Sequence, residues 1–121
     1  MLSLSLAKQL AKYLSWEPRV GDLTIVFGEA GEEIIEPIIS RHERERKIVL
    51  SLREMGELVW LPRLGRLLDE LRIRAKKDFV LGYIKESNQW YYKDESIEIF
   101  SDSPEDASGK ALLKLFESRQ T

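Results

Sequence analysis

The chain has 121 residues, of which 43% are hydrophobic and 33% are charged, and its formal net charge is -2. This length fits one domain with its own core, and the composition is that of a folded protein rather than a disordered one. Because there is no cysteine, disulfide frameworks, thiol redox sites, zinc fingers and cysteine proteases are excluded, and we expect a cytoplasmic location. No apolar run approaches the ~20 residues that span a bilayer, so we expect no membrane contact.

The first half of the chain, residues 1–61, predicts a helix followed by strands. Leu6, Leu10 and Leu14 recur at helical spacing, so we expect a short helix over residues 3–14 that ends before Pro18. A run rich in β-branched and aromatic residues predicts a strand over residues 22–27. The loop at residues 28–31 is acidic and follows a strand, which favours a hairpin turn over a phosphate-binding loop.

The segment between the hairpin turn and the middle of the chain is less regular. Residues 32–40 are compatible with a strand or a short helix, and Pro37 favours a strand at a sheet edge. After a charged connection over residues 41–47, Ile48, Leu50 and Leu52 alternate with their neighbours, which predicts a half-buried strand. Gly56 then marks a turn, and residues 58–61 predict another short strand.

The stretch from residue 58 to residue 75 organises the chain, because an amphipathic helix follows its strand and starts at Pro62. At ~100° per residue, six apolar side chains share a stripe about 120° wide, as expected of a core-facing helix. They are Leu61, Leu64, Leu67, Leu68, Leu71 and Ala75. Glu70 stands four residues from both Arg66 and Arg74 on the opposite side, which favours a solvated face with salt bridges.

The second half, residues 62–121, predicts the order αβββα. Residues 79–86, 90–93 and 97–100 predict three antiparallel strands joined by tight turns. Ser103, Pro104 and Asp106 predict the capped start of a helix that ends near Ser118. The order is similar to that of double-stranded RNA-binding domains, but the position of their lysine cluster is acidic here, so we infer shared topology only.

The sequence contains no recognisable catalytic, metal or cofactor constellation. His42 is the only histidine, so a two-histidine zinc site cannot form within one chain. Glu32, Glu33 and Glu36 are a dense carboxylate group, but they would need to converge in a pocket to bind Mg²⁺ or to act as acid and base. We therefore predict no catalytic residue, no metal, no cofactor and no enzymatic activity.

Two sets of residues are candidates for an interaction surface. Trp90, Tyr91 and Tyr92 lie on one predicted strand, and at least one ring should be exposed because alternate residues face opposite sides. Core and cross-strand packing is the commoner role of such rings. The second set is basic and would bind nucleic acid. It comprises Arg63, Arg66, Arg74 and Lys77, extended by Arg41, Arg44 and Arg46.

Two resemblances extend these predictions. WLPRLGRLLDEL (residues 60–71) and SPEDASGKALLKLFE (103–117), together with Trp16 and the Val20-Gly21-Asp22 turn, resemble small uncharacterised proteins encoded by phages and prophages of Gram-positive bacteria. This resemblance implies a phage accessory protein and carries over no catalytic residues. SDSPEDASGKALLKL (101–115) resembles the strand-to-helix segment of HicB-type antitoxins, where an acidic Ser/Thr-Pro-Glu cap opens the helix after a three-stranded sheet.

Taken together, these patterns predict a single α+β domain over residues 1–121. The expected order is approximately α-β-β-β-α-β-β-β-α, with helices on one face of a largely antiparallel sheet. The expected function is that of a non-enzymatic, phage-related accessory or regulatory protein that binds another protein, with a homodimer as one form. Nucleic-acid binding through the basic face of the central helix is the alternative.

Overall fold

The computed structural model describes residues 1–39 and 42–118, which form four helices and two three-stranded antiparallel sheets. The α+β fold predicted from the sequence is confirmed, although the strands form two sheets rather than one. The helices are α1 (Leu4–Leu10), α2 (Glu43–Glu54), α3 (Leu64–Arg74) and α4 (Pro104–Ser118). The strands are β1 (Leu23–Phe27), β2 (Glu33–Pro37), β3 (Leu58–Leu61), β4 (Val80–Ile84), β5 (Gln89–Lys93) and β6 (Glu98–Ser101).

Sheet A has the strand order β2-β1-β3, and both of its strand pairs are antiparallel. The predicted hairpin turn after β1 is confirmed by hydrogen bonds from Gly28 N–H to the Glu32 carbonyl and from Gly31 N–H to the Gly28 carbonyl. Gly31 has φ +82°, a conformation that glycine adopts without steric cost. The edge-strand interpretation of Pro37 is also confirmed, because β2 lies at the edge of the sheet.

The prediction of a strand at Ile48–Leu52 is wrong, because this segment belongs to α2. Its alternation coincides with a helical pattern in which Val49 and Leu52 pack against the core while Ile48 stays 50% exposed. Acidic residues in the first turn and Arg53 in the last suit the helix dipole. The predicted turn at Gly56 is confirmed, with φ +77° at that residue. The element order is therefore α-β-β-α-β-α-β-β-β-α.

The ends of α1 and α3 differ in detail from the predictions, whereas the cap of α4 is as predicted. Regular α1 ends at Leu10 rather than at residue 14, although a turn follows it. Pro62 precedes α3 instead of opening it, since the N-cap is Arg63. At α4, the Ser103 hydroxyl accepts the N–H of Asp106 at 3.0 Å, as predicted. The Asp106 carboxylate accepts the N–H of Ser3 at 2.7 Å, so it joins α4 to the start of α1.

The core lies between the two sheets. Helix α1 packs on β3 and α4, α3 packs on α4, and α4 covers one face of sheet B, which has the order β4-β5-β6. Leu67 and Leu71 of the predicted apolar stripe are fully buried against this layer, as is Leu112 of α4. Among the described residues, no helix is long and apolar enough to cross a bilayer.

Candidate functional site

A cleft of about 610 Å³ separates α2 from sheet A. Its walls include Val26, Val49, Leu52 and Leu58. One charged group of the cleft, Arg46, forms an ion pair with Glu17 and lowers the pKa of that carboxyl. Thr24, the hydroxyl-bearing residue of the lining, donates its Oγ1–H to the backbone carbonyl of Glu36 at 3.0 Å.

The glutamates of the first hairpin do not converge on a common point. The Glu32 carboxylate folds back over the turn and accepts the N–H of Ala30 at 3.0 Å. Glu33 and Glu36 are three positions apart in β2, so their side chains point to opposite faces of sheet A. Within residues 1–39 and 42–118, no group of three or more histidine, aspartate or glutamate side chains could hold a metal ion.

Most side chains of the predicted basic surface already bind other groups of the same chain. The Arg66 guanidinium binds Glu70 at 3.1 Å, donates to the Ser15 carbonyl at 3.0 Å and lies over the Trp60 ring. Arg74 binds the same Glu70 at 2.8 Å and lies 4.7 Å from the centre of the Phe116 ring. The two salt bridges with Glu70 are confirmed. Both arginines are half-buried supports of the core rather than members of a solvated face.

Three of the other basic candidates, Arg63, Lys77 and Arg46, also have partners within the protein. Arg63 donates to the Gly21 carbonyl at 2.8 Å, and Lys77 binds Glu95 at 2.7 Å. Arg44 is exposed on α2, Arg46 pairs with Glu17, and Arg41 lies outside the described residues. Partners of this kind must be displaced or shared before a phosphate can bind, so this geometry gives little support to a basic recognition face.

Sheet B presents two different faces, and the three predicted aromatic residues divide between them. Tyr92 points inward, is only 1% exposed, and stacks on Phe79 with centroids 5.3 Å apart. Its hydroxyl donates to Asp94 at 3.0 Å, and burial together with this bond raises the pKa of Tyr92. Trp90 shares the inner face and contacts Tyr83 at the edge.

Tyr91 lies on the opposite side, as the alternation of the strand predicts, and belongs to a surface that we call the outer face. The strand register places it between Gly82 of β4 and Phe100 of β6. Its ring lies over Gly82, where an added Cβ would come within 2.4 Å of the Tyr91 Cζ. The outer face comprises Val80, Gly82, Ile84, Gln89, Tyr91, Lys93, Glu98 and Phe100.

Part of the outer face is exposed to solvent, and the Tyr91 ring at its centre is only partly exposed. Val80 is 56% exposed and Phe100 44%, and α4 packs on the inner face, where Tyr92 and Ile99 are buried. Sequence reasoning found Tyr91 but missed Val80 and Phe100. The predicted strands 90–93 and 97–100 would set residue 99 opposite residue 91, whereas the observed register pairs Tyr91 with Phe100. Phe100 was therefore missed because a one-residue difference in register exchanges the two faces of a strand.

Comparisons of the chain with protein families, with curated proteins and with solved structures found no match. The resemblances to phage accessory proteins and to HicB-type antitoxins therefore stay predictions, as does the cytoplasmic location.

Proposed function

We propose that the protein is a non-enzymatic binding protein that docks another protein on the outer face of sheet B. The observation that carries this proposal is a contiguous apolar and aromatic surface, centred on Tyr91, Phe100 and Val80, on a sheet face that no described helix covers. Contiguous apolar patches with polar surroundings are typical of protein-binding sites, whereas isolated exposed apolar residues are ordinary.

Charge on the outer face is balanced, which favours a protein surface and allows a second copy of the chain. Lys93 and Glu98 lie directly opposite each other on β5 and β6 at one end of the face. A two-fold arrangement of two such faces could set each lysine near the glutamate of the other copy without net repulsion. A homodimer is therefore the simplest form of the proposed interaction.

The size of the outer face limits the affinity that we expect for its partner. Three strands spaced ~4.8 Å apart, with five residues at ~3.4 Å each, give a flat area roughly 14 by 17 Å. A stable complex buries about 800 Å² of accessible surface on each partner, which is more than this face alone offers. We therefore expect weak, concentration-dependent association rather than a permanent complex.

The test is sedimentation equilibrium over a concentration series, combined with a photo-reactive phenylalanine analogue at position 100. Wild-type protein should associate with itself or form one discrete crosslinked product in cells. The double variant Val80→Ser and Phe100→Ser should lose self-association. Ile73, which is 75% exposed on α3, supplies the matched control, both as Ile73→Ser and as an alternative site for the photo-reactive residue.

Three results would contradict the proposal. They are a monomer at every concentration without a crosslink specific to position 100, an identical product from position 73, and self-association that survives in the double variant. A gel shift that weakens with added salt would instead favour the nucleic-acid alternative.

A further inference from the structure

The free edge of β2 has backbone groups whose direction follows from its pairing with β1. The N–H of Gly28 donates to the Glu32 carbonyl, and the N–H of Ile38 donates to the Asp22 carbonyl, each at 2.9 Å. Bonded positions alternate along an antiparallel pair, so every second residue of β2 faces β1 and the others face away. The residues that face away are Glu33, Ile35 and Pro37.

This edge is available for another strand. All five residues of β2 are exposed, and β2 is the last strand of sheet A. Pro37 occupies an outward position, where its missing N–H breaks no bond to β1. The edge therefore offers the N–H groups of Glu33 and Ile35 and three carbonyls, a pattern that an extended chain can pair with.

Charge indicates which kind of chain would pair. The hairpin from residue 21 to residue 39 contains Asp22, Glu29, Glu32, Glu33 and Glu36 and no lysine or arginine. Within the described residues, no salt bridge engages the carboxylates of Glu33 or Glu36. Edge-to-edge pairing with a second copy would bring two acidic edges together, and an acidic edge also repels nucleic acid.

We propose that the free edge of β2 binds an extended basic segment of a partner protein, which becomes the fourth strand of sheet A. Residues directly opposite in a pair share a face and interact. The Glu33-Ile34-Ile35-Glu36 sequence therefore selects a basic-apolar-apolar-basic segment. This surface is on the other sheet from the outer face of sheet B, so the two interactions are independent of each other.

Short peptides with blocked ends test the interaction directly. A peptide with a Lys-Val-Val-Lys core should bind and slow the amide hydrogen exchange of Glu33 and Ile35 by at least about tenfold. The amides of Ile34 and Glu36 face β1 and should change much less. A Glu-Val-Val-Glu peptide should not bind. Binding without protection at Glu33 and Ile35 would overturn the proposal.

Two N-methylated peptides separate strand pairing from simple charge attraction. In the antiparallel register, the first valine of the core lies opposite Ile35 and directs its N–H at β2, whereas the N–H of the second valine points away. Methylation of the first valine nitrogen should weaken binding at least about tenfold, and methylation of the second should weaken it less. Equal affinities for the two peptides would show that only charge attracts them.

Charge exchange provides the matching test on the protein. The double variant Glu33→Lys and Glu36→Lys should no longer bind the Lys-Val-Val-Lys peptide and should instead bind the Glu-Val-Val-Glu peptide. Glu86→Lys with Glu117→Lys changes the net charge equally at exposed positions outside sheet A, and this control should keep the wild-type preference. A reversal of preference in both double variants would attribute binding to net charge and refute the edge site.

Discussion

The indole ring of Trp16 stacks on that of Trp60, with ring centroids 5.4 Å apart and planes within 7° of parallel. The Arg53 guanidinium lies 5.5 Å from the Trp16 ring centre, and Arg66 lies 5.3 Å from that of Trp60. The resulting column joins α2, the segment before β1, β3 and α3. The Trp16 indole N–H also donates to Asp22 at 2.9 Å, which fixes the ring at the start of the hairpin.

Trp16→Ala should lower the free energy of unfolding by about 3–5 kcal/mol, because it removes a buried ring that lies between the Arg53 guanidinium and the Trp60 ring. Trp16→Phe keeps a stacked ring but loses the indole N–H, so it should lower the free energy of unfolding by less than Trp16→Ala does. Urea unfolding followed by circular dichroism measures both. Equal stability of Trp16→Ala and the wild type would show that the column contributes nothing to folding.

Arg66 and Arg74 should behave as structural residues. Arg66→Gln and Arg74→Gln should each lower the free energy of unfolding by about 1 kcal/mol, since each loses an aromatic contact and a Glu70 partner. Arg72→Gln should cost less, because Arg72 is 72% exposed and its Asp69 partner 63%. Urea midpoints test this ranking. Equal effects of all three substitutions would contradict a supporting role for Arg66 and Arg74.

These arginines illustrate what the sequence could and could not predict. The 3.6-residue periodicity of α3 identifies Leu67 and Leu71 as core, and the spacing of Glu70 predicts both salt bridges. The aromatic partners Trp60 and Phe116 come from β3 and α4, so local periodicity holds no information about those contacts. Arg66 and Arg74 of the predicted solvated face are thus partly buried, because distant elements pack on them.

In the sheets too, pairing between strands that are neighbours in sequence could be predicted, whereas pairing between strands far apart in sequence could not. Tight turns predicted the β4-β5-β6 meander, because neighbouring strands pair in sequence. Strand alternation predicted that at least one of the three rings would be exposed, without indicating which one. Nothing in the sequence of β3 indicates that it pairs with β1 across the whole of α2. The free edge at β2 depends on that non-sequential pairing, and it could therefore not be predicted from residues 32–40 alone.

The segment at residues 48–52 offers a direct test of helix against strand. In α2, Val49 packs against the core while Ile48 is half exposed, whereas the alternating strand would bury Ile48 and expose Val49. Val49→Lys should therefore lower the free energy of unfolding by about 1–3 kcal/mol, and Ile48→Lys by less than about 0.5 kcal/mol. Chemical unfolding of both variants decides the question. The reverse ranking would restore the strand interpretation.

Ser108 of α4 is fully buried, and its hydroxyl has no hydrogen-bond partner among the described residues. A buried hydroxyl without a partner loses its hydration and gains nothing in return. Ser108→Ala keeps the small side-chain volume and also raises helix propensity, so it should increase the free energy of unfolding by about 1 kcal/mol. Thermal and urea unfolding measure the gain. A loss of stability would indicate that the hydroxyl binds a buried group or water.

Asp94 should make the turn between β5 and β6 sensitive to acid. Burial opposes its charge, but the N–H groups of Ile97 and Ser96 and the hydroxyl of Tyr92 outweigh burial and lower the pKa of Asp94. A lowered folded pKa contributes stability above the unfolded pKa of about 4, and this is lost as pH falls through the folded pKa. Asp94→Asn should reduce stability at neutral pH and flatten the acid dependence measured by urea unfolding. An unchanged acid dependence would contradict this role.

Tyr92→Phe tests the same pair from the donor side. Because Tyr92→Phe removes the hydroxyl that donates to Asp94, it should lower the free energy of unfolding by about 1 kcal/mol at neutral pH. The acid dependence should shrink without vanishing, because two backbone donors to Asp94 remain. Burial also raises the pKa of Tyr92. The stabilising contribution of the neutral Tyr92 hydroxyl is therefore complete below the unfolded pKa of about 10. It is lost as pH rises from there through the folded pKa. Tyr92→Phe should abolish that alkaline loss, and urea midpoints that still fall at high pH would assign the loss to another group.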